Sequence, residues 1–145
     1  MQQTCHTILL LASDPNHIDA ARIAAYRSDI ACELEVLSNV DTALDWLDRA
    51  RHGQLPCLVL MDLQLPKLDS WAVLRKMRLN HVTADLPVLV YSSEYTQADV
   101  LLSYQVGANS FIAKPQDEAQ FLDLYGSQLS YWLTSTRQQN VYAPL

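Results

Sequence analysis

Short apolar runs alternate along the chain with longer segments in which apolar residues recur every three or four positions. A short continuous apolar run is typical of a strand buried on both faces, whereas the longer spacing is typical of an amphipathic helix. The apolar runs predict strands at residues 7–11, 34–37, 58–61, 88–91 and 110–113. Strands that alternate with helices indicate an α/β fold with a doubly wound parallel sheet, because parallel neighbours need crossover helices.

Helix start and stop signals lie between these strands. Asp14 followed by Pro15 is typical of a helix cap and the first helical residue, and Gly53 and Gly107 are typical of residues just past helix ends. Together with the apolar spacing, these signals predict helices at residues 14–28, 39–52, 70–80, 96–106 and 117–135.

Length and composition restrict the class of protein. The 145 residues suit one domain at residues 1–135, followed by a carboxyl-terminal tail at residues 136–145. No apolar stretch approaches the ~18 residues of a membrane span, so we expect a soluble cytoplasmic protein with no membrane partner. The net charge of -6, without a cluster of Lys or Arg, makes nucleic acid an unexpected partner.

Polar residues follow three of the predicted strands at their carboxyl ends. Asp62 follows the third strand, Ser92 the fourth and Lys114 the fifth. In an open parallel sheet these ends share one crevice, where ligands bind. A carboxylate, a hydroxyl and an ammonium together suit a phosphoryl group, whose oxygens need donors and positive charge. Taken singly, Asp62 and Ser92 could be ordinary turn caps, and Lys114 could be a lysine that extends to solvent.

Longer motifs make the chain similar to the CheY-like receiver domains of two-component response regulators. The matching motifs are residues 62–69, 87–92 and 107–115, and the resemblance extends over residues 8–133. Residues 103–109 and 131–133 resemble the single-domain regulators that partner phytochrome-type histidine kinases. The resemblance implies a flavodoxin-like receiver fold with five parallel strands in the order 2-1-3-4-5.

The same resemblance implies a role for each residue at the strand ends. Asp62 would accept a phosphoryl group from a sensor histidine kinase, Ser92 would hydrogen-bond that group, and Lys114 would pair with its charge. Phe111 stands at the position of the family's aromatic switch, which would act together with Ser92. The chain would then be a phosphoacceptor rather than an enzyme, with at most slow self-dephosphorylation.

One departure from the family pattern concerns the metal ion. Receivers place two adjacent acids after the first strand, where this chain has Ala12 and Ser13. Mg²⁺ prefers oxygen ligands, usually one or two carboxylates. The remaining ligands that the resemblance implies are Asp62 and the backbone carbonyl of Gln64, with Asp14 as a further candidate. We therefore expect Mg²⁺ binding to be weak or absent, and an acid at position 13 to strengthen it.

Two functions remain open from the sequence. The first is a single-domain response regulator of a phosphorelay, phosphorylated on Asp62 by a histidine kinase. The second is a pseudo-receiver, a protein-interaction module that signals without phosphorylation because Ala12 and Ser13 replace the acidic pair. An enzyme of another class, such as a flavodoxin or a dehalogenase-type phosphatase, is disfavoured because residues 12–16 are not a phosphate-binding loop and Gln64 stands in place of a second acid.

The signal to a downstream protein target must leave through a surface of the domain. The predicted surface is the face of the fourth helix, fifth strand and fifth helix, and the same half of the chain is predicted to form a homodimer. Its aromatic residues are Tyr95, Tyr104, Phe111, Tyr125 and Tyr131. The histidines are expected to be surface or packing residues, because they lie in different elements without the spacing of a metal site. They are His6, His17, His52 and His81.

Overall fold

A computed structural model describes residues 6–141, with side chains up to residue 134. Strands and helices alternate strictly along this part of the chain. The elements are β1 (His6–Leu11), α1 (Pro15–Arg27), β2 (Cys32–Leu37), α2 (Val40–Arg49), β3 (Leu58–Asp62), α3 (Lys67–Leu79), β4 (Val88–Ser92), α4 (Gln97–Val106), β5 (Ser110–Ala113) and α5 (Glu118–Val141). None of these helices is both long enough and apolar enough to cross a membrane.

The strands form one parallel sheet in the order β2-β1-β3-β4-β5. This order confirms the predicted doubly wound fold. In the strand register Asp62 lies opposite Tyr91, and Ser92 lies opposite Ala113. The carboxyl ends of β3, β4 and β5 therefore reach the same edge of the sheet, with Lys114 directly after β5.

The sheet separates two hydrophobic cores. Successive side chains of a strand point to opposite faces, so Val59 and Met61 pack with α2 and α3, whereas Leu58 and Leu60 pack with α1 and α5. Every residue of β3 and β4 is buried. Burial on both faces explains why these strands are continuous apolar runs in the sequence.

The end of α2 and the start of α3 differ from the prediction. Helix α2 ends at Arg49 rather than at residue 52, because the Gln54 amide donates to the Arg51 carbonyl (3.1 Å) and closes a separate turn. Helix α3 begins at Lys67 rather than at residue 70, since Pro66 takes the cap position and its carbonyl accepts the Ser70 amide (3.0 Å). The predicted end of α4 before Gly107 is confirmed.

Helix α5 runs past its predicted end. It continues to Val141 instead of stopping near residue 135, because no glycine or proline interrupts residues 127–141. The last part of the predicted tail, residues 142–145, lies outside the described residues.

Candidate functional site

Asp62 and Lys114 meet at the carboxyl edge of the sheet. Lys114 Nζ donates to Asp62 Oδ2 over 2.9 Å, and the two side chains are 7 % and 2 % exposed. Their contact follows from the strand order, because β4 alone separates the strands that end at these residues. The structure thus brings together the predicted carboxylate and the predicted ammonium as a buried ion pair.

Ser92 lies at the same edge but bonds to other groups. Its hydroxyl donates to the Glu94 carbonyl (2.7 Å) and accepts a hydrogen bond from Gln64 Nε2 (3.0 Å). The backbone amide of Gln64 donates to Asp62 Oδ1 (2.8 Å). Gln64 therefore connects the two residues, because its side chain bonds to Ser92 and its backbone amide bonds to Asp62.

A side chain that was expected to be a surface or packing residue completes the site. His17 of α1 is fully buried, and its Nδ1 lies 2.9 Å from Asp62 Oδ2. Its Nε2 lies 3.1 Å from the hydroxyl of Tyr125 in α5. Asp62 Oδ2 is therefore shared by two nitrogen donors, one from α1 and one from the end of β5.

The sequence contains a signal for His17 that the prediction did not use. His17, Ala21 and Ala24 are the buried residues of α1, at a spacing that puts them on one face of the helix. The Asp14 side chain caps this helix by accepting the Asn16 amide (3.0 Å). Because α1 starts at the carboxyl edge of β1, the first buried residue of that face is directed at the neighbouring strand ends.

Three aromatic rings surround the His17 imidazole. The ring centroids of Tyr91, Phe121 and Tyr125 lie 5.5, 5.3 and 5.5 Å from it in edge-to-face arrangements. Tyr125 was predicted to belong to a surface aromatic patch, but it is fully buried, because α5 turns it towards α1 and β4. The tautomer that satisfies the whole group carries hydrogen on Nδ1, which donates to Asp62, and accepts the Tyr125 O–H at Nε2.

Asp62 is held in its ionised form. Burial alone would raise the pKa of Asp62, but the hydrogen bonds from His17 and the Gln64 amide, with the charge of Lys114, outweigh burial and lower it. A carboxylate offers about four lone-pair positions, and donors from three residues already occupy this one. Burial also raises the pKa of Tyr91 and of Tyr125, so both remain neutral phenols.

The residues present do not fit a Mg²⁺ site. Ala12 is fully buried among apolar side chains, and Ser13 is exposed and carries no charge. Asp14 is exposed and caps α1, as described above. Within the part of the chain whose side chains are described, no group of three or more His, Cys, Asp or Glu side chains could hold a metal ion.

A cleft of about 170 Å³ opens at the carboxyl edge of the sheet. His17 and Lys114 are among its lining residues, together with Asp14 and Phe121, and Asp62 is not. Two of the residues that bond to Asp62 thus line this cleft, whereas the Asp62 carboxylate itself does not.

The predicted switch residue Phe111 lies on the other side of the site, between α4 and the end of the sheet. Its half-buried ring packs edge-to-face on Tyr95, with centroids 5.1 Å apart. Its backbone amide donates to the hydroxyl of Tyr104 in α4 (3.0 Å). Phe111, Tyr95 and Tyr104 thus form one aromatic cluster, of which Tyr95 and Tyr104 are exposed.

Known proteins share this arrangement of strands over most of the chain. A solved structure of the phosphorylated cyanobacterial phytochrome response regulator RcpA superposes with a TM-score of 0.83 at 24% identity, covering 91% of this chain and 96% of that one. The Mn²⁺-bound form of response regulator Rcp1 gives a TM-score of 0.80 at 26% identity, covering 88% and 94%. The phytochrome response regulator fold is therefore shared at nearly full length.

Sequence comparison gives the same family. A probable methanogenesis regulatory protein, FilR2 of Methanothrix harundinacea, is 30% identical over 87% of this chain and 83% of its own length. Response regulator Rcp1 of Synechocystis is 28% identical over 73% of this chain and 74% of its own length. The family model of the response regulator receiver domain matches residues 9–125. The chain therefore belongs to the response regulator receiver domain family of two-component signalling.

Proposed function

We propose that this chain is a pseudo-receiver, a protein-interaction module that signals without phosphorylation of Asp62. One observation carries the proposal: Asp62 is 2 % exposed, and its Oδ2 accepts hydrogen bonds from both His17 and Lys114. Phosphoryl transfer requires the attacking oxygen to reach about 3–3.5 Å from phosphorus in an aligned geometry. His17 and Lys114 line the cleft at this edge and Asp62 does not, which supports restricted access of a phosphoryl donor to that oxygen.

The charges of the site support the same proposal. In phosphoryl transfer, negative charge spreads over the oxygens of the moving group and must be compensated by cations. Here the ammonium of Lys114 already pairs with Asp62, and Ala12 and Ser13 offer no carboxylate for a second cation. The burial of Asp62 and the lack of a carboxylate at positions 12 and 13 therefore both support the pseudo-receiver.

The proposed partner is a sensor histidine kinase of the phytochrome type. The similarity to RcpA and Rcp1 over most of the chain supports this class of partner. In the proposal the kinase binds the domain through its surface and passes no phosphate to Asp62. A downstream protein target would then compete for, or share, the same contact.

A second candidate function is phosphate acceptance on Asp62 in a phosphorelay. The observation in its favour is that Asp62, Ser92 and Lys114 stand at three neighbouring strand ends, and that hydrogen bonds through Gln64 connect the first two. For this function His17 would have to leave Asp62 Oδ2 before the donor enters. The domain would then be closed at rest and opened by its kinase.

Treatment of the purified protein with acetyl phosphate, with and without Mg²⁺, distinguishes the two functions. The pseudo-receiver gives no phosphate adduct by intact-mass spectrometry, whereas a receiver with the acid pair, run in parallel, gives one. The control variant is Asp62→Asn, and an adduct present on the wild type and absent from this variant would select the phosphorelay. Binding of a purified phytochrome-type kinase, measured by calorimetry, should be equal for the wild type and Asp62→Asn.

A further inference from the structure

We infer that the His17 side chain takes the place of the divalent cation in this receiver, so that the Asp62 site is held together by the protein alone. The inference extends the proposed function. It rests on that function for the resting state of the site, in which His17 and Lys114 bond to Asp62. It assigns a positioning role to His17, which acts on Asp62 and through it on the strand ends.

The first step is the competition for Asp62 itself. A cation at this site must take a lone pair of the carboxylate, and Oδ2 already accepts Nδ1–H of His17 and Nζ–H of Lys114, each at 2.9 Å. The other oxygen accepts the Gln64 amide at 2.8 Å. Three of about four lone-pair positions are thus occupied, so a cation would compete with the existing hydrogen bonds for this carboxylate.

The second step is that His17 cannot easily move aside. Its imidazole is fully buried between Tyr91, Phe121 and Tyr125, with all three rings within 5.5 Å between centroids. Its departure would also leave the buried Tyr125 hydroxyl without Nε2 as its acceptor. A buried polar group without a partner costs about 1–3 kcal/mol, and this cost resists displacement.

The third step is that His17 complements the change at the end of β1. Two acids beside Asp62 would place negative charges close together, and a cation would be needed to balance them. With Ala12 and Ser13 instead, a single carboxylate remains, and Lys114, His17 and the Gln64 amide bond to it. An acid at position 13 alone should therefore not restore a cation site while His17 stays in place, which reverses the expectation from the sequence that such an acid strengthens Mg²⁺ binding.

The test is a titration with Mn²⁺, in which bound ion is measured by loss of the electron paramagnetic resonance signal of free Mn²⁺. The proteins compared are the wild type, Ser13→Asp, His17→Ala and the double variant Ser13→Asp/His17→Ala. We expect no binding by the wild type and no gain for Ser13→Asp alone. The double variant should bind Mn²⁺ with an affinity at least about ten-fold above the weakest binding that the titration detects, which is the usual size of an effect on metal affinity from residues around the ligands.

Two controls separate the position of the imidazole from general effects. Ser13→Asp/His52→Ala removes an exposed histidine far from the site and should behave as Ser13→Asp. Ser13→Asp/His17→Asn keeps an N–H donor at the position of Nδ1 and should also remain without Mn²⁺. Circular dichroism establishes that each variant is folded. His17→Asp, which puts a carboxylate beside Asp62, should gain Mn²⁺ binding and serves as a second variant if the double variant does not fold.

Mn²⁺ binding by the wild type would overturn the inference. Ser13→Asp binding as tightly as Ser13→Asp/His17→Ala would also overturn it. If the wild type instead formed a phosphate adduct without a divalent cation, the proposed function would be overturned. The inference that His17 replaces the cation would still hold. The two failures are therefore distinguishable in the same set of proteins.

Discussion

At the scale of single residues, the buried ion pair of Asp62 and Lys114 dominates the site. Replacing Asp62 by Asn would leave a buried ammonium without its carboxylate, which costs about 3–5 kcal/mol in other proteins. In a receiver with an acid pair, the same change would also relieve repulsion between carboxylates, but Ala12 and Ser13 carry no charge. We therefore expect Asp62→Asn to lower the free energy of unfolding by about 3 kcal/mol in urea.

The matched control is Asp45→Asn. Asp45 pairs with Arg49 on the exposed face of α2, and exposed pairs of this kind contribute less than about 1 kcal/mol. Equal losses of stability for the two variants would contradict the importance of the buried pair.

The lowered pKa of Asp62 also predicts how stability depends on pH. As the pH falls, the unfolded chain binds a proton at this residue first, near the ordinary pKa of about 3.9, and the folded chain binds it later. The contribution of the carboxylate is thus fully present above about pH 4 and is lost as the pH falls through the folded pKa. Urea unfolding at decreasing pH measures the difference in the free energy of unfolding between the wild type and Asp62→Asn. We expect this difference to decrease as the pH falls, and a constant difference would be evidence against the lowered pKa.

Two buried tyrosines next to His17 should respond differently to loss of the hydroxyl. The Tyr125 hydroxyl bonds to His17, whereas no residue that the structure describes bonds to the buried Tyr91 hydroxyl. Tyr125→Phe is expected to destabilise the fold by about 1–2 kcal/mol, and Tyr91→Phe to be neutral or stabilising, since a buried hydroxyl without a partner carries a desolvation cost. Thermal unfolding of the two variants measures the difference, and the reverse order would contradict the described bonding.

At the scale of elements, the end of α4 depends on Gly107. Its φ of +126° favours glycine, and an added Cβ would lie 2.7 Å from Arg78 Cγ. Arg78 cannot yield easily, because its guanidinium donates to the carbonyls of Gly107 and Ala84 and to the Asn109 side chain. This turn therefore links α3 to α4 and to the start of β5.

Alanine substitution at two glycines tests the role of this turn. Gly107→Ala is expected to cost about 2 kcal/mol or more, from the left-handed backbone and the contact with Arg78. Among the described residues no atom outside α5's own backbone lies within 4 Å of a Cβ added at Gly126, inside α5, so Gly126→Ala should stabilise the helix by about 0.5–1 kcal/mol. In denaturant unfolding, the free energy of unfolding should thus decrease for Gly107→Ala and increase for Gly126→Ala. A Gly107→Ala variant as stable as the wild type would contradict the expected backbone strain at this position.

At the scale of the whole molecule, the exposed apolar residues of the α4 side suit a protein interface. Leu101 is 60% exposed and Tyr104 is 47% exposed, beside the cluster of Tyr95 and Phe111. A closed two-fold pair is the commonest oligomer, so we expect a homodimer through this side. Leu101→Glu should shift sedimentation towards monomer, and Tyr26→Glu, on the exposed face of α1, should not. Wild type that sediments only as monomer at high concentration would contradict the dimer.

Much of the fold was predictable from local sequence. The apolar runs at β3 and β4 are buried on both faces, so their pattern directly reflects their position in the sheet. Asp14, Thr96 and Gly107 act within a few residues of themselves, so helix starts and ends near them were correct. The family resemblance implied the strand order, and in that order the ends of β3 and β5 lie at the same edge of the sheet. The contact between Asp62 and Lys114 was therefore predictable.

Tertiary packing alone decided that His17 and Tyr125 join Asp62. The sequence offers four histidines, and only the packing of α1 against α5 and β4 selects His17 and gives it Asp62 and Tyr125 as partners. The same packing turns Tyr125 inward, away from the surface that its sequence neighbourhood suggested. The sequence by itself determined which chemical groups stand at the edge of the sheet. Contacts between residues far apart in the chain decided which of those groups are bonded to each other, because hydrogen bonds depend on distances that local patterns do not encode.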